Sequence, residues 1–482
     1  MPSIAEILQQ GDIGTIIGDL SKDTRDDREA REYLNEYMGD RTRRSVSVGN
    51  REPKQIKIYS DTLKDKNGNP VVLETKTVPV AKVILNFPQQ VVTSSVACMF
   101  GGKMTLSADD SNDGFSEFKH LWAKKLKMQS ILQQFALCTL SETKAAMVFY
   151  PVPSAEGTTL RVKILHLPKE SENDDSYTFF PHFNDDDDMD GFIYNYLEDA
   201  NGKNIKCSKI WTADKIITAK QDGIWTPKED KNLFGLIPVV YAEVDQPDWE
   251  PAVHAMDYRE KRLSRMDDTN DYFADPILKS FGDSDLPSKE TAGKEITFPI
   301  RIDEETGKEI HGDAEFLAWQ QSIDSIDKEL TELKSEMYAS THTPDLSFDN
   351  MKGIGNVSGV SRRFMMLDSE IKRVFNMTTF GPVVSRCVSI VRAGISCITN
   401  VKYASQLKDN DIDVVFASIL PEDLAEKLAN LQTANGGEAV NSQETTVALS
   451  PYTTDPKAEM LKLKQEKDAK VQSTSMVGAI EK

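Results

Sequence analysis

Five cysteines are few for 482 residues, and Cys98, Cys138, Cys207, Cys387 and Cys397 are odd in number, scattered and without a CxxC pair. Neither a disulfide framework nor a zinc knuckle is implied, and a reducing compartment fits. Long apolar runs are also missing. No uncharged apolar stretch is long enough to span a bilayer, and Met1 to Gln10 lacks the basic and apolar regions of a signal peptide, so no membrane partner is expected. Positive charge is short as well: 57 Lys and Arg stand against 77 Asp and Glu, a formal net charge of −20. Tight binding to a phosphate backbone draws on counterions released by Lys and Arg. This balance therefore excludes a protein that grips nucleic acid hard, and one that handles DNA with it holds the duplex loosely.

Catalytic signatures are equally scarce. Gly353-x-Gly355-x-x-x-Gly359 misses the dinucleotide fingerprint by one residue and follows a helical pattern instead of a strand. Gly101-Gly102-Lys103-Met104 lacks the upstream Gly and the Ser or Thr of a phosphate-binding loop, so no ATPase is implied. His120, His166, His182, His254, His311 and His342 are isolated from one another and from any nucleophile signature. Asp186-x-Asp188-x-Asp190-Gly191 reproduces the first half of a calcium loop, but its twelfth position is Leu197, with Glu198 one place late. A solvated acidic turn is the simpler reading of that tract, with Asp186, Asp188 and Asp190 kept as a weak metal candidate. The carboxylates of residues 174–190 also motivate a competing class, a metal-dependent nuclease. Two-metal chemistry needs acids converging from separate strands, whereas this tract is contiguous and hydrophilic. No enzyme and no cofactor is expected, and no internal repeat is present.

What is present is a composition of 39% apolar and 28% charged residues, enough for several domains with a core, and an α+β order of elements. Residues 1–50 are charged, with a helix expected around Arg28–Met38 ended by Gly39, and a polar basic link at Arg41–Arg51 whose order is doubtful. An apolar segment at Val91–Phe100 is closed by Gly101 and Gly102. Helical spacing at Phe115–Leu140 precedes strand-like runs at Ala145–Tyr150, Thr159–Leu165, Gly191–Leu197, Ile205–Trp211, Lys215–Ala219 and Leu236–Ala242, with Asn201-Gly202 as a hairpin turn. Two long amphipathic helices follow at Trp249–Asp275 and Glu315–Ser340. In the second, Phe316, Trp319, Ile323, Ile326, Leu330, Leu333 and Met337 alternate steps of three and four, the stripe of a helix that packs on other helices. Between the helices, residues 276–313 are broken by Pro276, Gly282, Pro287, Gly293, Pro299 and Gly307. A Pro/Gly-rich loop, Thr341–Gly359, leads to a helix at Val360–Phe380 with Phe364, Leu367, Ile371, Val374 and Phe375 on one side. Gly381-Pro382 is expected to kink or split it before Val383–Ile395 continues. Ile412–Phe416 reads as a strand. Three helices close the chain, the first opened by Pro421, the others capped by Ser442 and Asp455, with the last dozen residues frayed.

Several segments, in order, resemble the SPP1-type family of phage portal proteins. Tyr37-Met38-Gly39 is similar to the family's amino-terminal "YxG". Asn86-Phe87-Pro88, Val91-Val92 and Phe100-Gly101-Gly102 are similar to its "N…iv…a..lfG" helix. Asn232-Leu233-Phe234-Gly235-Leu236-Ile237-Pro238-Val239-Val240 matches the "N.fG.iPvv" strand before the first stem helix, and Ser358-Gly359-Val360 resembles the "SG.al" start of the channel helix. Ile419-Leu420-Pro421-Glu422-Asp423, Gly436-Gly437, Ser442-Gln443-Glu444-Thr445 and Asp455-Pro456 resemble the crown's "LP.d…G..S.et" spacing. A longer acidic tract and Ser361-Arg362-Arg363 depart from the family pattern.

The resemblance implies a portal fold: an α/β wing (1–247), a first stem helix (248–275), a small β-containing clip (276–313), a second stem helix (314–340), a channel loop (341–359), a kinked channel helix (360–399) and a mainly helical crown with its tail (400–482). It implies a ring of about twelve copies at one capsid vertex through which double-stranded DNA passes. Terminase, adaptor or neck proteins, and major capsid and scaffold proteins are the implied partners, with host cytoplasm as the place of assembly and the virion as the destination. Asn350, Lys352, Gly353, Gly355, Arg362, Arg363, Lys372 and Arg373 are the expected DNA-facing residues. There Asp368 and Glu370 interleave with the basic residues to give shallow alternating wells, unless these charges only pair along the helix. A non-portal virion adaptor is the remaining alternative, although such a protein would lack the stem, clip and crown order.

Overall fold

The charged amino-terminal stretch turns out to be helical and anchored in the computed structural model. The structure describes residues 3–9, 11–22, 27–154, 157–168, 177–200, 202–274, 278–281, 301–302, 309–310, 313–316, 323–347, 364, 366–417, 424–436, 439–453 and 455–480. Two compact units divide the chain: Met1–Pro344 with Ser369–Ser418, and Asp345–Asp368 with Ile419–Lys482. Helices and strands mix throughout the first, as an α+β fold requires.

Its first helices are α1 (Ile4–Ile7), α2 (Ile13–Leu20) and α3 (Asp27–Tyr37). Gly39 ends α3 as expected, with φ of 104°, where a Cβ would be strained, and the Asp40 N–H reaches back to Asn35 O at 2.8 Å. A two-stranded ribbon follows, β1 (Lys54–Lys64) with β2 (Pro70–Val78). Helix α4 (Phe87–Phe100) carries Pro88 in its first turn, where a missing N–H costs nothing. Strand β3 (Met104–Ala108) comes next. A Cβ on Gly102 would lie 1.7 Å from Ala417 O, so only glycine lets the chain pass here. Helix α5 (Asp113–His120), a π turn (Leu121–Lys125) and α6 (Met128–Glu142) complete the helical layer.

The strands from Lys144 to Glu243, β4 to β11, form two antiparallel sheets. One has the order β11-β4-β5, from Val239–Glu243, Lys144–Ser154 and Gly157–Leu165; the other is the meander β10-β9-β8-β7-β6. Its members are β6 (Phe179–Phe183), β7 (Met189–Ala200), β8 (Lys203–Trp211), β9 (Lys215–Asp222) and β10 (Ile224–Lys231). Ala200 pairs with Lys203 around Gly202, the predicted hairpin turn. Strand β10 was not expected. It is an exposed edge rich in Lys, Glu and Asp, and its state is dictated by the neighbouring β9 instead of by its own alternation.

Helix α7 (Val253–Ala274) and α8 (Ile323–Ser340) bracket β12 (Leu278–Phe281), β13 (Arg301–Ile302), β14 (Glu309–Ile310) and β15 (Asp313–Phe316). Phe316 pairs with Leu278 in the β12–β15 ladder, which corrects the reading that placed Glu315 and Phe316 on the second long helix. Helix α9 (Leu367–Gly394) runs through Gly381 and Pro382, so of the kink or split expected there the split is absent, and a π turn (Ile395–Thr399) ends it. Packing carries the helix through the proline. Phe380 sits edge-on to Phe100 at 5.9 Å and to Phe135 at 6.4 Å, and Val383, Val384, Cys387, Val388, Ile390 and Val391 are all buried. Residues Leu367–Thr399 are long and apolar enough to cross a membrane by composition, yet the carboxyl-terminal half of this stretch is the core helix of the first unit. After α10 (Ala404–Lys408), β16 (Ile412–Phe416) pairs with β3. Residues up to Ser418 therefore belong to the first unit and not to a crown beginning at 400.

In the second unit α11 (Leu424–Asn435), α12 (Gln443–Leu449) and α13 (Pro456–Ile480) follow one another. Ser442 Oγ accepts the Thr445 N–H at 3.1 Å and Asp455 Oδ1 accepts those of Lys457 and Ala458 at 3.0 and 3.1 Å, the predicted caps. The last helix continues to Ile480, past the point where fraying was expected.

Candidate assembly and channel elements

Helix α9 has two characters. Its second half is core, whereas Ile371, Val374 and Phe375, spaced to share one face, are 38%, 61% and 68% exposed. Phe364 and Leu367, predicted on the same side, are exposed too. Burying side chains of this size is worth about 1.5–3 kcal/mol each when complete. Within the single chain that stabilisation is left unused on the first half of the helix.

The basic residues expected to face DNA are placed less freely. Lys372 Nζ lies 3.0 Å from Asp248 Oδ2, both side chains being nearly buried, in a charge contact that lacks hydrogen-bond alignment. Ser95 Oγ donates to the same carboxylate. Arg373 Nε donates to Glu370 at 2.8 Å, one turn back along the helix. Both residues thus make charge pairs within the chain, the alternative that the sequence left open for these charges. Asn350, Lys352, Gly353, Gly355, Arg362 and Arg363 lie outside the described residues, as does Trp319.

The two long helices do pair. Arg262 Nη2 meets Glu329 Oε1 at 2.7 Å and Arg259 Nε donates to Leu330 O at 3.4 Å. Along α8 the predicted stripe is covered unevenly: Ile326, Leu330 and Leu333 are half-buried, and Met337 is buried. Beside Met337, Tyr338 stands edge-on to Phe87 at 5.3 Å and its hydroxyl reaches Gln90. One chain covers the α8 stripe fully only near Met337. Ile323 begins the helix, and nothing further is described for its side chain.

Sequence reasoning missed the joint between α7 and the segment before α4. Glu260 Oε1, Ser264 Oγ and Asp268 Oδ1 accept the N–H groups of Leu85, Val83 and Ala81 at 2.7, 2.8 and 2.8 Å. Four residues of helix rise about 6 Å, and two residues of extended chain about 6.6 Å, so side chains four apart can serve alternate N–H groups of an antiparallel extended segment. The basic link, expected to be of doubtful order, clamps the same face. Arg41 Nε bonds Glu260 Oε1 at 3.1 Å, Arg44 pairs with Asp257 and Glu36, and Arg51 Nη2 meets Asp268 Oδ2 at 2.5 Å. Trp249 Nε1 and Arg43 also converge on Glu36. Burial pushes the Glu260 carboxyl up despite Arg41. Burial would raise that of Asp268 as well, but the Ala81 N–H together with Arg51 and Lys54 outweighs it and holds this carboxyl below its ordinary range. The available signal was acids and a serine at 257, 260, 264 and 268 opposite four arginines.

The acidic tract has a structural role. Asn184 Oδ1 accepts the N–H groups of Asp186 and Asp188 at 2.9 Å each, shaping the β6–β7 turn with Asp187 at positive φ. Asp190 is used on both oxygens, Oδ1 by His182 Nδ1 at 2.6 Å and Oδ2 by the Ile4 N–H at 2.8 Å. Asp190 thus ties the tract to His182 and to the start of α1. Asn232, in the motif before β11, spans its loop by donating to Thr212 O and Leu236 O at 2.7 and 2.8 Å, with Gly235 at φ 67°. The motif is a folding device.

On the single chain, then, α9 keeps an apolar face exposed and α8 a stripe that is only partly covered. The match to a family model gives the particular family: residues 24–473 fit the phage portal protein, SPP1 Gp6-like, and the chain belongs to that family. It is a phage portal protein, a structural and non-enzymatic protein. Among solved structures the chain is similar to the neck of an empty GTA particle computed with C6 symmetry (TM-score 0.41, 10% identity, covering 76% of this chain and 90% of that one). It is similar to the neck of a native GTA particle computed with C12 symmetry (0.41, 10%, 76% and 91%), and to a chain in the virion of the native gene transfer agent particle (0.37, 10%, 75% and 88%). No curated protein matches. At such identities and scores the assignment rests on the family match.

Proposed function

We propose that about twelve copies close into a ring at one capsid vertex and that double-stranded DNA passes along its axis during packaging and ejection. Contacts between unlike faces that return on themselves generate such rings. The observation that carries this reading is the exposed apolar face of Ile371, Val374 and Phe375 on a helix whose other half is core. A neighbouring copy buries this face together with the half-covered stripe of Ile326, Leu330 and Leu333. A net charge of −20 suits a conduit, because strong phosphate contacts repeated around a ring would trap the duplex. Asn350, Lys352, Gly353, Gly355, Arg362 and Arg363 face the passing backbone in this reading, together with Lys372 and Arg373, whose charges are tempered by Asp248 and Glu370. Residues 276–313 form the clip that docks terminase and then neck or adaptor proteins. Major capsid and scaffold proteins surround the ring, which assembles in the host cytoplasm. Electron microscopy of the purified protein tests the proposal: annular particles are expected, and single globules at every concentration and salt would refute it.

A further inference from the structure

Beneath the three-stranded sheet, three side chains of different chemistry converge at a place the portal reading does not use. Cys138 and Glu142 are four apart near the end of α6, so Sγ and the carboxylate share one helix face, and His166 directly follows β5. One ligand atom from each falls within 4.8 Å of the other two. Cys138 and Glu142 are buried and His166 is about one-third exposed, which leaves an access path from solvent. The carboxylate is already oriented: Oε2 accepts the Leu167 N–H at 2.7 Å and Oε1 lies 3.1 Å from His166 Nδ1. The Tyr177 hydroxyl donates to the Glu142 carbonyl at 2.5 Å and Ser141 Oγ to that of Cys138 at 3.3 Å, so the backbone carrying both ligands is fixed.

We propose that Cys138, Glu142 and His166 bind one zinc-class divalent cation. A thiolate, an imidazole and a carboxylate on rigid elements form a borderline-soft set that suits zinc over calcium or magnesium, with water completing a tetrahedron. The Leu167 N–H serves as the outer contact that aims a ligating carboxylate. Binding replaces the thiol proton by metal and releases it to solvent, so affinity rises with pH. The bound ion ties the end of α6 to the end of β5. This site is independent of the DNA conduit, since it lies in the core of the first unit.

The test uses full-length protein stripped with chelator and titrated with cobalt(II). A single cobalt per chain is expected, with thiolate-to-cobalt charge-transfer absorption and displacement by zinc. Cys138→Ser removes the charge-transfer band. His166→Ala, at a partly exposed ring, leaves the fold intact and weakens cobalt binding about 100-fold or more. If Cys138→Ser fails to fold, the His166→Ala titration decides alone. Absence of saturable binding overturns the proposal, and so does cobalt that binds without a charge-transfer band or indifferently to the substitutions.

Discussion

The two halves of α9 are a natural experiment in what a helix packs against. From Phe380 to Gly394 nearly every apolar side chain is inside the chain's own core, touching α4 and α6 residues such as Phe100 and Phe135. From Leu367 to Phe375 equally apolar side chains stand in solvent. The halves differ in charge, since Asp368, Glu370, Lys372 and Arg373 interleave with the apolar side chains of the first, and in how far the chain's own core covers them. The second half is covered by the chain's own core and, in the ring proposed above, the first is covered by a neighbouring copy, so substitutions in the two should separate stability from oligomerisation.

The largest effect expected is all-or-none. Ile371→Asp with Phe375→Asp abolishes annular particles in electron micrographs while the monomer's unfolding free energy stays within about 0.5 kcal/mol; intact rings would dissolve the comparison. Ile326→Asp with Leu330→Asp behaves likewise, leaving soluble monomers without rings. Across Pro382 the result inverts: Phe380→Ala leaves a cavity between two phenyl rings and costs about 3–5 kcal/mol in denaturant unfolding. A cost near zero would mean that the second half is no more committed to the core than the first. A smaller effect belongs to the α7 joint. Asp268→Asn is expected to cost about 1 kcal/mol at neutral pH. Because the folded carboxyl titrates below its unfolded value of about 3.9, this stabilisation is complete above that pH and disappears as pH falls through the folded value. Melting curves of the two proteins should therefore converge in acid and nowhere else. Smallest is the response to salt. Acidic subunits repel, and screening to about 10 Å at 0.1 M should favour rings modestly, which ultracentrifugation across ionic strengths would detect.

Much of the fold was legible in the sequence because local rules and tertiary outcome agree there. Gly39, the Asn201-Gly202 turn, Pro88 and the Ser442 and Asp455 caps each act through their own backbone. The misses have one cause, in that distant partners decided them. Strand β10 borrows its state from β9, Phe316 from Leu278, and the passage through Pro382 from two phenylalanines of other helices. The apolar face of the first half of α9 could be read from its spacing. The commitment of Lys372 could not, because Asp248 is far away in sequence and is brought beside it only by packing. The basic link at Arg41–Arg51 was of doubtful order for the same reason.

Those arginines and the N–H ladder on α7 have a mechanical consequence. Helix and extended chain advance at rates differing by about a tenth, so the match lasts only a few steps, and the two steps present carry three bonds. No slack remains for the helix to slide past the segment beside it. Any tilt of α7 must then carry residues 81–85, and the chain leading into α4, as a lever carries its load.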